Sequence, residues 1–192
     1  AFHKTGFKTG LARLVGMPRS NWGTALAHAG IGVTTLGIVG VTTFEQESVQ
    51  RMAPGDMAQI AGYGIRFDSL EPGRGPNYVY DRANFTIFVD GVEDHAFSSE
   101  KRVYTASNTP TTEAGIETFG FTQVYVSVGD IEDNGARAVV RLWYKPLVTL
   151  IWIGTIFMTL GGLVSLSDRR LRIGAPKAAT NRKTVQLPEP AE

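Results

Sequence analysis

Two uncharged runs of residues limit what this chain can fold into. The first, residues 22–44, has 23 residues and the second, residues 147–166, has 20, and neither contains Asp, Glu, Lys or Arg. A helix rises about 1.5 Å per residue, so each run is long enough to cross a hydrocarbon core of roughly 30 Å. The runs therefore predict two transmembrane helices, with a buried helix of a soluble protein as the alternative for each.

Charged residues outside the two runs predict how the chain is oriented. Residues 1–21 contain four basic side chains and no acidic one, and residues 167–192 contain six basic and three acidic side chains. Residues 45–146, between the runs, contain nine basic and fifteen acidic side chains. Basic residues accumulate on the cytoplasmic side of membrane proteins, so both ends are expected in the cytoplasm and the middle segment in the bacterial periplasm.

The two ends are expected to differ in structure. Residues 1–21 form a cytoplasmic juxtamembrane segment in this interpretation, and the polar, Pro- and Ala-rich residues 167–192 form a disordered tail. The chain begins with Ala1 and not with Met, which we interpret as a fragment of a longer protein. A net charge of +1 gives no reason to expect nucleic acid as a partner.

The middle segment has the pattern of a small β domain. Turn signals recur at residues 54–56, 72–73, 75–77, 90–91 and 134–135. Alternation between them predicts that Ile65 and Phe67 share one face, as do Val124, Val126 and Val128. About six or seven strands of this kind predict a small sandwich or barrel. A short helical turn is the alternative for the stretch TTEAGIETFGF, residues 111–121.

The middle segment shows little catalytic or metal-binding chemistry. The chain has no cysteine, which excludes disulfides, thiolate metal sites and thiol catalysis. His95 follows the Asp90-Gly91 turn, and a surface loop histidine is favoured over a ligand because no second histidine is near it in the sequence. Lys101 and Arg102 form a basic pair, for which a solvated strand edge is favoured over contact with a haem propionate or an acidic partner.

The first uncharged run contains a histidine, His28. It lies about 9 Å along the helix from Trp22, which is too deep for the headgroup region. Ionisable side chains within a span usually face a bundle interior and mark function. Three functions are open: a haem or metal ligand, a helix–helix hydrogen bond, or a proton pathway, and the last is disfavoured because neither run has a second ionisable group.

The helical neighbours of His28 leave space beside the imidazole. The residues three and four positions away are Thr24, Ala25, Ile31 and Gly32. Three of these four are small, and small residues allow the close approach of another helix or of a flat macrocycle. The local pattern fits both partners and does not choose between them.

Several stretches taken together resemble the C-terminal part of the CcmF family. They are MPRSNWGTALAHAGIGV, VQRMAPGD, GPNY, EKRVY, TEAGI, VYVSVGD and WYKPLVTLIWIGTIFMTLGGLVSLSDRR, which cover roughly residues 17–172. Each stretch is weak alone, but their order and spacing are specific. CcmF proteins are the haem lyase subunits of bacterial cytochrome c maturation, and NrfE-type relatives share the pattern.

The resemblance implies an inner-membrane protein with many spans that takes haem from the chaperone CcmE. Such a protein attaches the haem to apocytochrome c, which a CcmH-type subunit helps to present. It also implies a haem b held by two membrane histidines, of which His28 in LAHAG matches the second. Ala29 stands where Leu is common in the family, beside the ligand position.

Other functional parts of the family have no counterpart in this sequence. They are the Trp-rich haem-binding loop, two periplasmic histidines and the first membrane histidine, and His95 matches none of them. We therefore expect this chain to be the C-terminal third of a haem lyase, unable to attach haem to a cytochrome alone.

Two functions follow from these observations. The first is a membrane subunit that handles haem in cytochrome c maturation, with His28 as one axial ligand of haem b and the second ligand outside this chain. In this hypothesis the β domain is a brace or an assembly surface. The alternative is a membrane-anchored periplasmic adaptor with no cofactor, in which His28 only packs between helices.

Overall fold

A computed structural model describes residues 17–168, apart from the side chain of Asn134. Helix α1 (Arg19–Phe44) comes first, helix α2 (Val148–Leu166) comes last, and nine strands lie between them. The strands are β1 (Gln46–Met52), β2 (Met57–Ile60), β3 (Tyr63–Arg74), β4 (Tyr78–Val89), β5 (Val92–Tyr104), β6 (Thr109–Glu113), β7 (Gly115–Phe119), β8 (Thr122–Glu132) and β9 (Arg137–Lys145). The predictions for residues 1–16 and 169–192 lie outside the described residues.

The strands form two antiparallel sheets that pack face to face. One sheet has the order β1-β9-β8-β7, and the other has the order β2-β3-β4-β5-β6. The chain passes from the first sheet to the second between β1 and β2, and returns between β6 and β7. The prediction of a mainly-β domain flanked by two apolar helices is confirmed, and of the two predicted architectures the domain is the sandwich.

The core of the sandwich is built from the alternating residues of both sheets. Ile65 and Phe67 on β3 and Val124, Val126 and Val128 on β8 are fully buried, as their alternation predicts. The other buried apolar side chains are Met52, Ala58, Ile60, Ala83, Phe85, Ile87, Ala138, Val140 and Leu142. At about 25 cal/mol per Å² of buried apolar surface, this cluster is the main source of the domain's stability.

The helical alternative for residues 111–121 is wrong. This stretch forms β6 and β7, which meet at a corner where the chain changes sheets. Gly115 permits the corner, because a Cβ atom there would lie 2.7 Å from the carbonyl oxygen of Ser98. The nine described strands also outnumber the six or seven predicted. Strand β1 has few apolar residues and β2 is only four residues long, so both escape a search for alternation.

The turn predicted at Pro72-Gly73 is also wrong. Both residues lie within β3, where Pro72 is opposite Asp81 of β4. Strand β2 pairs with β3 only between Tyr63 and Arg66, so β3 is an edge strand at Pro72. A proline, which lacks an amide hydrogen, is tolerated at such an edge.

The two helices are adjacent because the strands that lead into them are paired. Helix α1 runs directly into β1, β9 runs into α2, and Gln46 of β1 is opposite Tyr144 of β9. Paired strands lie about 4.8 Å apart, whereas packed helices usually lie about 8–10 Å apart. The ammonium of Lys145 also binds the Glu45 carboxylate at 3.0 Å, which ties the two junctions together.

Glycines at the contact allow the helices to approach closely. The buried residues of α1 are Gly23, Gly30, Gly37 and Gly40, and those of α2 are Gly154 and Gly161. A Cβ atom on Gly30 would lie 2.6 Å from the carbonyl oxygen of Gly154, so even a methyl group does not fit. We call the residues of this contact the glycine seam.

Large apolar side chains cover the outside of the helix pair. The exposed ones include Trp22, Ile31, Leu36, Val39, Trp152, Ile156, Leu160, Leu163 and Leu166. A buried helix of a soluble protein would place such side chains inside. Glycine at the helix contact with bulky apolar residues outside is instead the arrangement expected in lipid, where van der Waals packing holds helices together.

Candidate functional site

His28 lies on the outer face of α1, away from α2. It is two residues from Gly30, which corresponds to about 160° around a helix, and its side chain is exposed. The hypothesis of a helix–helix hydrogen bond therefore fails for the one helix that α1 contacts among the described residues. A partner of His28 must approach from the face opposite the glycine seam.

One ring nitrogen of His28 is held by the helix itself. Nδ1 lies 2.8 Å from the carbonyl oxygen of Thr24, one turn earlier. A carbonyl oxygen only accepts, so Nδ1 carries the proton and donates it. A neutral imidazole with its proton on Nδ1 has an unprotonated Nε2, the form that ligates metals, and such a hydrogen bond also fixes the ring orientation.

The surface around His28 has room for a bulky group. Thr24, Ala25, Ile31 and Gly32 are all exposed on this face. A Cβ atom on Gly32 would meet no atom within 4 Å, in contrast to Gly30 on the seam. An oriented imidazole in open, apolar surroundings has the donor chemistry of an axial haem ligand, so the residues present fit half of a bis-histidine site.

His95 lies in strand β5 and not in the loop that the sequence suggested. Its Nδ1 lies 2.8 Å from Oδ2 of Asp94, and its Nε2 lies 2.7 Å from Oε2 of Glu117 on β7. Hydrogen bonds to Asp94 and then Glu117 raise the pKa of His95 above its ordinary value. Both ring nitrogens are hydrogen-bonded, and the bond to Glu117 links the two sheets, so we call His95 the tie between the sheets.

The pair Lys101-Arg102 is not at a strand edge, because β5 lies between β4 and β6. Lys101 reaches across to the other sheet, where its ammonium binds Asp130 at 2.8 Å. Arg102 binds Glu100 at 2.8 Å. The charges of both residues are thus matched within the domain.

Glu100 is the most buried acid of the sandwich, at 8 % exposure. Burial alone would raise its pKa, but hydrogen bonds from Arg102 and Arg82 hold the pKa below its ordinary value. The carboxylate is therefore an ionised partner of two guanidinium groups. It is not a proton donor or acceptor for chemistry near neutral pH.

The described part of the chain shows no convergent catalytic site. No group of three or more His, Asp or Glu side chains within residues 17–168 is arranged to hold a metal ion. The groove between the sheets, lined by Leu70, Pro72, Asp81, Ile131 and Gly135, offers a single carboxylate. General acid–base catalysis usually needs a positioned pair of groups, which this groove does not provide.

Sequence reasoning missed two features of the helix pair. The first is the glycine seam, which was readable as glycine at every seventh residue at 23, 30 and 37 and again at 154 and 161. The second is Asp168, only 7 % exposed, whose Oδ2 accepts a hydrogen bond of 3.1 Å from the Ser20 amide at the start of α1. This cap joins the end of α2 to the start of α1, and no local pattern could reveal it.

Comparison with known proteins identifies relatives of both the sandwich and the helices. Residues 43–146 match a family model described as the CcmF C-terminal beta-sandwich. A cytochrome c-type biogenesis protein CycK from Rhizobium meliloti is 54 % identical over 175 residues, which are 91 % of this chain and 25 % of that protein. CcmF from Pseudomonas aeruginosa is 42 % identical over 88 % of this chain and 26 % of its own length.

A solved structure has the same fold. The structure, titled Cytochrome c Heme Lyase CcmF, aligns with a TM-score of 0.68 at 19 % identity and covers 78 % of this chain and 25 % of that protein. At this identity the likeness concerns the fold alone. The chain spans about a quarter of the length of the curated relatives it matches.

Proposed function

The chain belongs to the CcmF family of cytochrome c-type biogenesis proteins, and we propose that it forms the C-terminal portion of a haem lyase subunit. In this role it takes part in haem delivery and in covalent attachment of haem to apocytochrome c in the periplasm. His28 supplies one axial ligand of a haem b in the membrane. The second histidine ligand lies outside this chain.

The observation that carries the proposal is the state of His28. A histidine on an outward helix face inside an apolar run is costly unless it has a partner. The carbonyl oxygen of Thr24 already accepts a hydrogen bond from Nδ1, so Nε2 is the ring nitrogen that can bind the partner. A helix backbone carbonyl is rigid, and a ligand oriented in this way needs no reorganisation to bind.

A haem held by His28 and by a second histidine outside this chain would supply electron transfer and not ligand activation. The residues of this chain contribute orientation and space. His28 presents Nε2, while the small side chain of Ala25 and the open position at Gly32 leave room beside it. A proton pathway would need a second ionisable group near His28, and α1 has none on this face.

The sandwich acts in this proposal as a brace and an assembly surface. Several of its charged side chains are paired with one another, as at Glu100 and His95, and no catalytic constellation is present among the described residues. The partners proposed for the whole protein are the haem chaperone CcmE, a CcmH-type subunit and apocytochrome c. Contacts with these proteins belong to the wider complex, of which this chain is one part.

Location in the bacterial inner membrane is also part of the proposal. The two apolar helices are placed as spans, the sandwich in the periplasm and both flanks in the cytoplasm. The charge distribution supports this orientation, since fifteen of the eighteen acidic residues lie between the helices. Cytoplasmic labelling of a cysteine placed in the sandwich of this cysteine-free chain would contradict it.

The test is an optical spectrum of the protein expressed from its complete reading frame, with His28→Ala. We expect loss of most of the reduced b-type absorption per mole of purified protein, together with loss of cytochrome c maturation. His95→Gln is the matched control, because it removes the other described imidazole and leaves the helix pair untouched. It should keep both the haem band and maturation.

An unchanged haem band in the His28→Ala protein would contradict the ligand assignment. Unchanged maturation as well would favour the alternative function, a membrane-anchored periplasmic adaptor without a cofactor. In that case the orientation of His28 by Thr24 would serve only helix packing.

A further inference from the structure

The turn between β7 and β8 places a phenylalanine next to the start of α2. The two turn residues are Gly120 and Phe121, and Gly120 has a φ of +60°. A two-residue hairpin turn with glycine first and a positive φ at that position is a tight and well-defined connection. Phe121 stands at its tip with 53 % of its surface exposed.

A hydrogen bond fixes the position of the tip along the axis of α2. The amide of Thr149, in the first turn of α2, donates a hydrogen bond of 3.4 Å to the carbonyl oxygen of Phe121. Phe44, the last residue of α1, is 62 % exposed. Phe121 and Phe44 therefore belong to the end of the molecule where both helices meet the sandwich.

The hairpin behind the tip is braced by aromatic packing. The ring of Phe119, directly before the turn, lies 5.0 Å from that of Tyr63. Tyr63 in turn lies 6.1 Å from Tyr144, which precedes the entry into α2. The tip therefore cannot move away from the helix end without disrupting this aromatic cluster.

We infer that the β7–β8 hairpin tip rests in the lipid headgroup region, so that Phe121 anchors the sandwich to the membrane surface. Aromatic side chains concentrate at this depth in membrane proteins. Thr149, which contacts the tip, is followed one turn later in α2 by Trp152, an apolar side chain that is 65 % exposed. The inference rests on the two helices crossing the membrane, as the proposed function holds.

A consequence is that the sandwich has a fixed orientation relative to the bilayer. Two helices alone would hold the domain at one edge, through β1 and β9. Contact of the β7–β8 tip adds a support at the other edge of the same sheet, because β7 is the last strand in the order β1-β9-β8-β7. This sheet is then held at the membrane surface at both of its edges.

The experiment uses the absence of cysteine from these 192 residues, and any cysteine encoded elsewhere in the complete reading frame is first replaced by serine. The variants Phe121→Cys, Trp152→Cys and Val79→Cys are made in the protein expressed from its complete reading frame. Each is labelled with an environment-sensitive fluorophore and reconstituted in nanodiscs with nitroxide-labelled lipids. Val79 is a matched exposed apolar residue near the start of β4. It is ten residues, or about 33 Å along the strand, from Val89, which pairs with Tyr63 of the aromatic cluster.

The expected result is strong quenching at Trp152, strong quenching at Phe121 by lipids with the nitroxide near the headgroup, and little quenching at Val79. Quenching at Phe121 as low as that at Val79, with Trp152 still quenched, would overturn the inference and leave the membrane placement standing. Unquenched Trp152 would overturn both. Equal quenching at all three positions would overturn the inference, because the tip would then have no special position.

Discussion

The residues at the contact are glycines in the helix pair, whereas in the β-sandwich they are phenylalanine, isoleucine, valine and leucine. Two paired strands set the helices so close that side-chain volume between them is excluded, as the 2.6 Å approach of a Gly30 Cβ to Gly154 shows. Stacked sheets lie about 10 Å apart, and large side chains must fill that gap. Added volume should therefore harm the first region, and lost volume the second.

The largest effect is expected from emptying the sandwich core. Phe67 is fully buried with its ring centre 5.3 Å from that of Phe85. Phe67→Ala should lower the free energy of unfolding of the domain by about 3–5 kcal/mol, measured by circular dichroism during denaturation in detergent micelles. Val92→Ala, at a valine that is 68 % exposed, should change it by less than about 0.5 kcal/mol. Equal losses of unfolding free energy in the two variants would contradict the claim that the buried core stabilises the domain.

Adding a methyl group to the glycine seam should have the next largest effect. A Cβ atom on Gly154 would lie 2.5 Å from the carbonyl oxygen of Gly30, whereas one on Gly162 would meet nothing within 4 Å. Gly154→Ala should therefore cost about 1–3 kcal/mol of helix-pair stability, as overpacking does elsewhere. Gly162→Ala should be neutral. The stability of the two variants can be compared by SDS titration of the chain in micelles. Equal midpoints would contradict the claim that the glycine seam has no space for a methyl group.

The cap between the helix ends should have a smaller effect. Asp168→Ala removes the acceptor for the Ser20 amide and should cost about 0.5–2 kcal/mol in the same SDS titration. Asp168→Asn keeps an oxygen acceptor and loses the charge, so it separates the hydrogen bond from the attraction of a carboxylate to a helix N-terminus. An Ala variant as stable as the native chain would show that the cap contributes nothing.

The smallest effect concerns the tie at His95 between the two sheets. Its pKa is raised by hydrogen bonds to Asp94 and Glu117, so protonation is favoured in the folded state. The stabilisation is fully present below the unfolded pKa of about 6.5 and is lost as pH rises through the raised folded pKa. The difference in melting temperature between the native chain and His95→Gln should shrink as pH is raised through this window. A difference that grows with pH would reverse the assigned sign.

The sequence predicted the sandwich core well because strand alternation directly reports which side is buried. Ile65, Phe67 and the valines of β8 all lie where a period of two residues places them. It also predicted two long apolar helices from length and composition alone, although the first begins three residues earlier than predicted, at Arg19. Such features are local, and a single segment contains all the information they need.

Features that depend on two distant segments were not predicted. The partner of His95 is 22 residues away on another strand, and the partner of Asp168 is 148 residues away. Placement of His28 on the face opposite the seam also required the position of α2. The candidate residue could be selected from its unusual chemistry in an apolar run. The position of its proton follows from the contact with Thr24 in the same helix, but its open face emerges only from the packed helix pair.

The central claim is that Nε2 of His28 is an iron ligand, and ligand rescue tests it most directly. In the protein expressed from its complete reading frame, His28→Gly should lose the reduced b-type band, and added imidazole should restore it by occupying the emptied position. Restoration by imidazole but not by 2-methylimidazole, whose methyl group hinders approach of the ring nitrogen to a haem iron, would match direct ligation of the iron. A His28→Gly protein that keeps its native haem spectrum without imidazole would contradict the account.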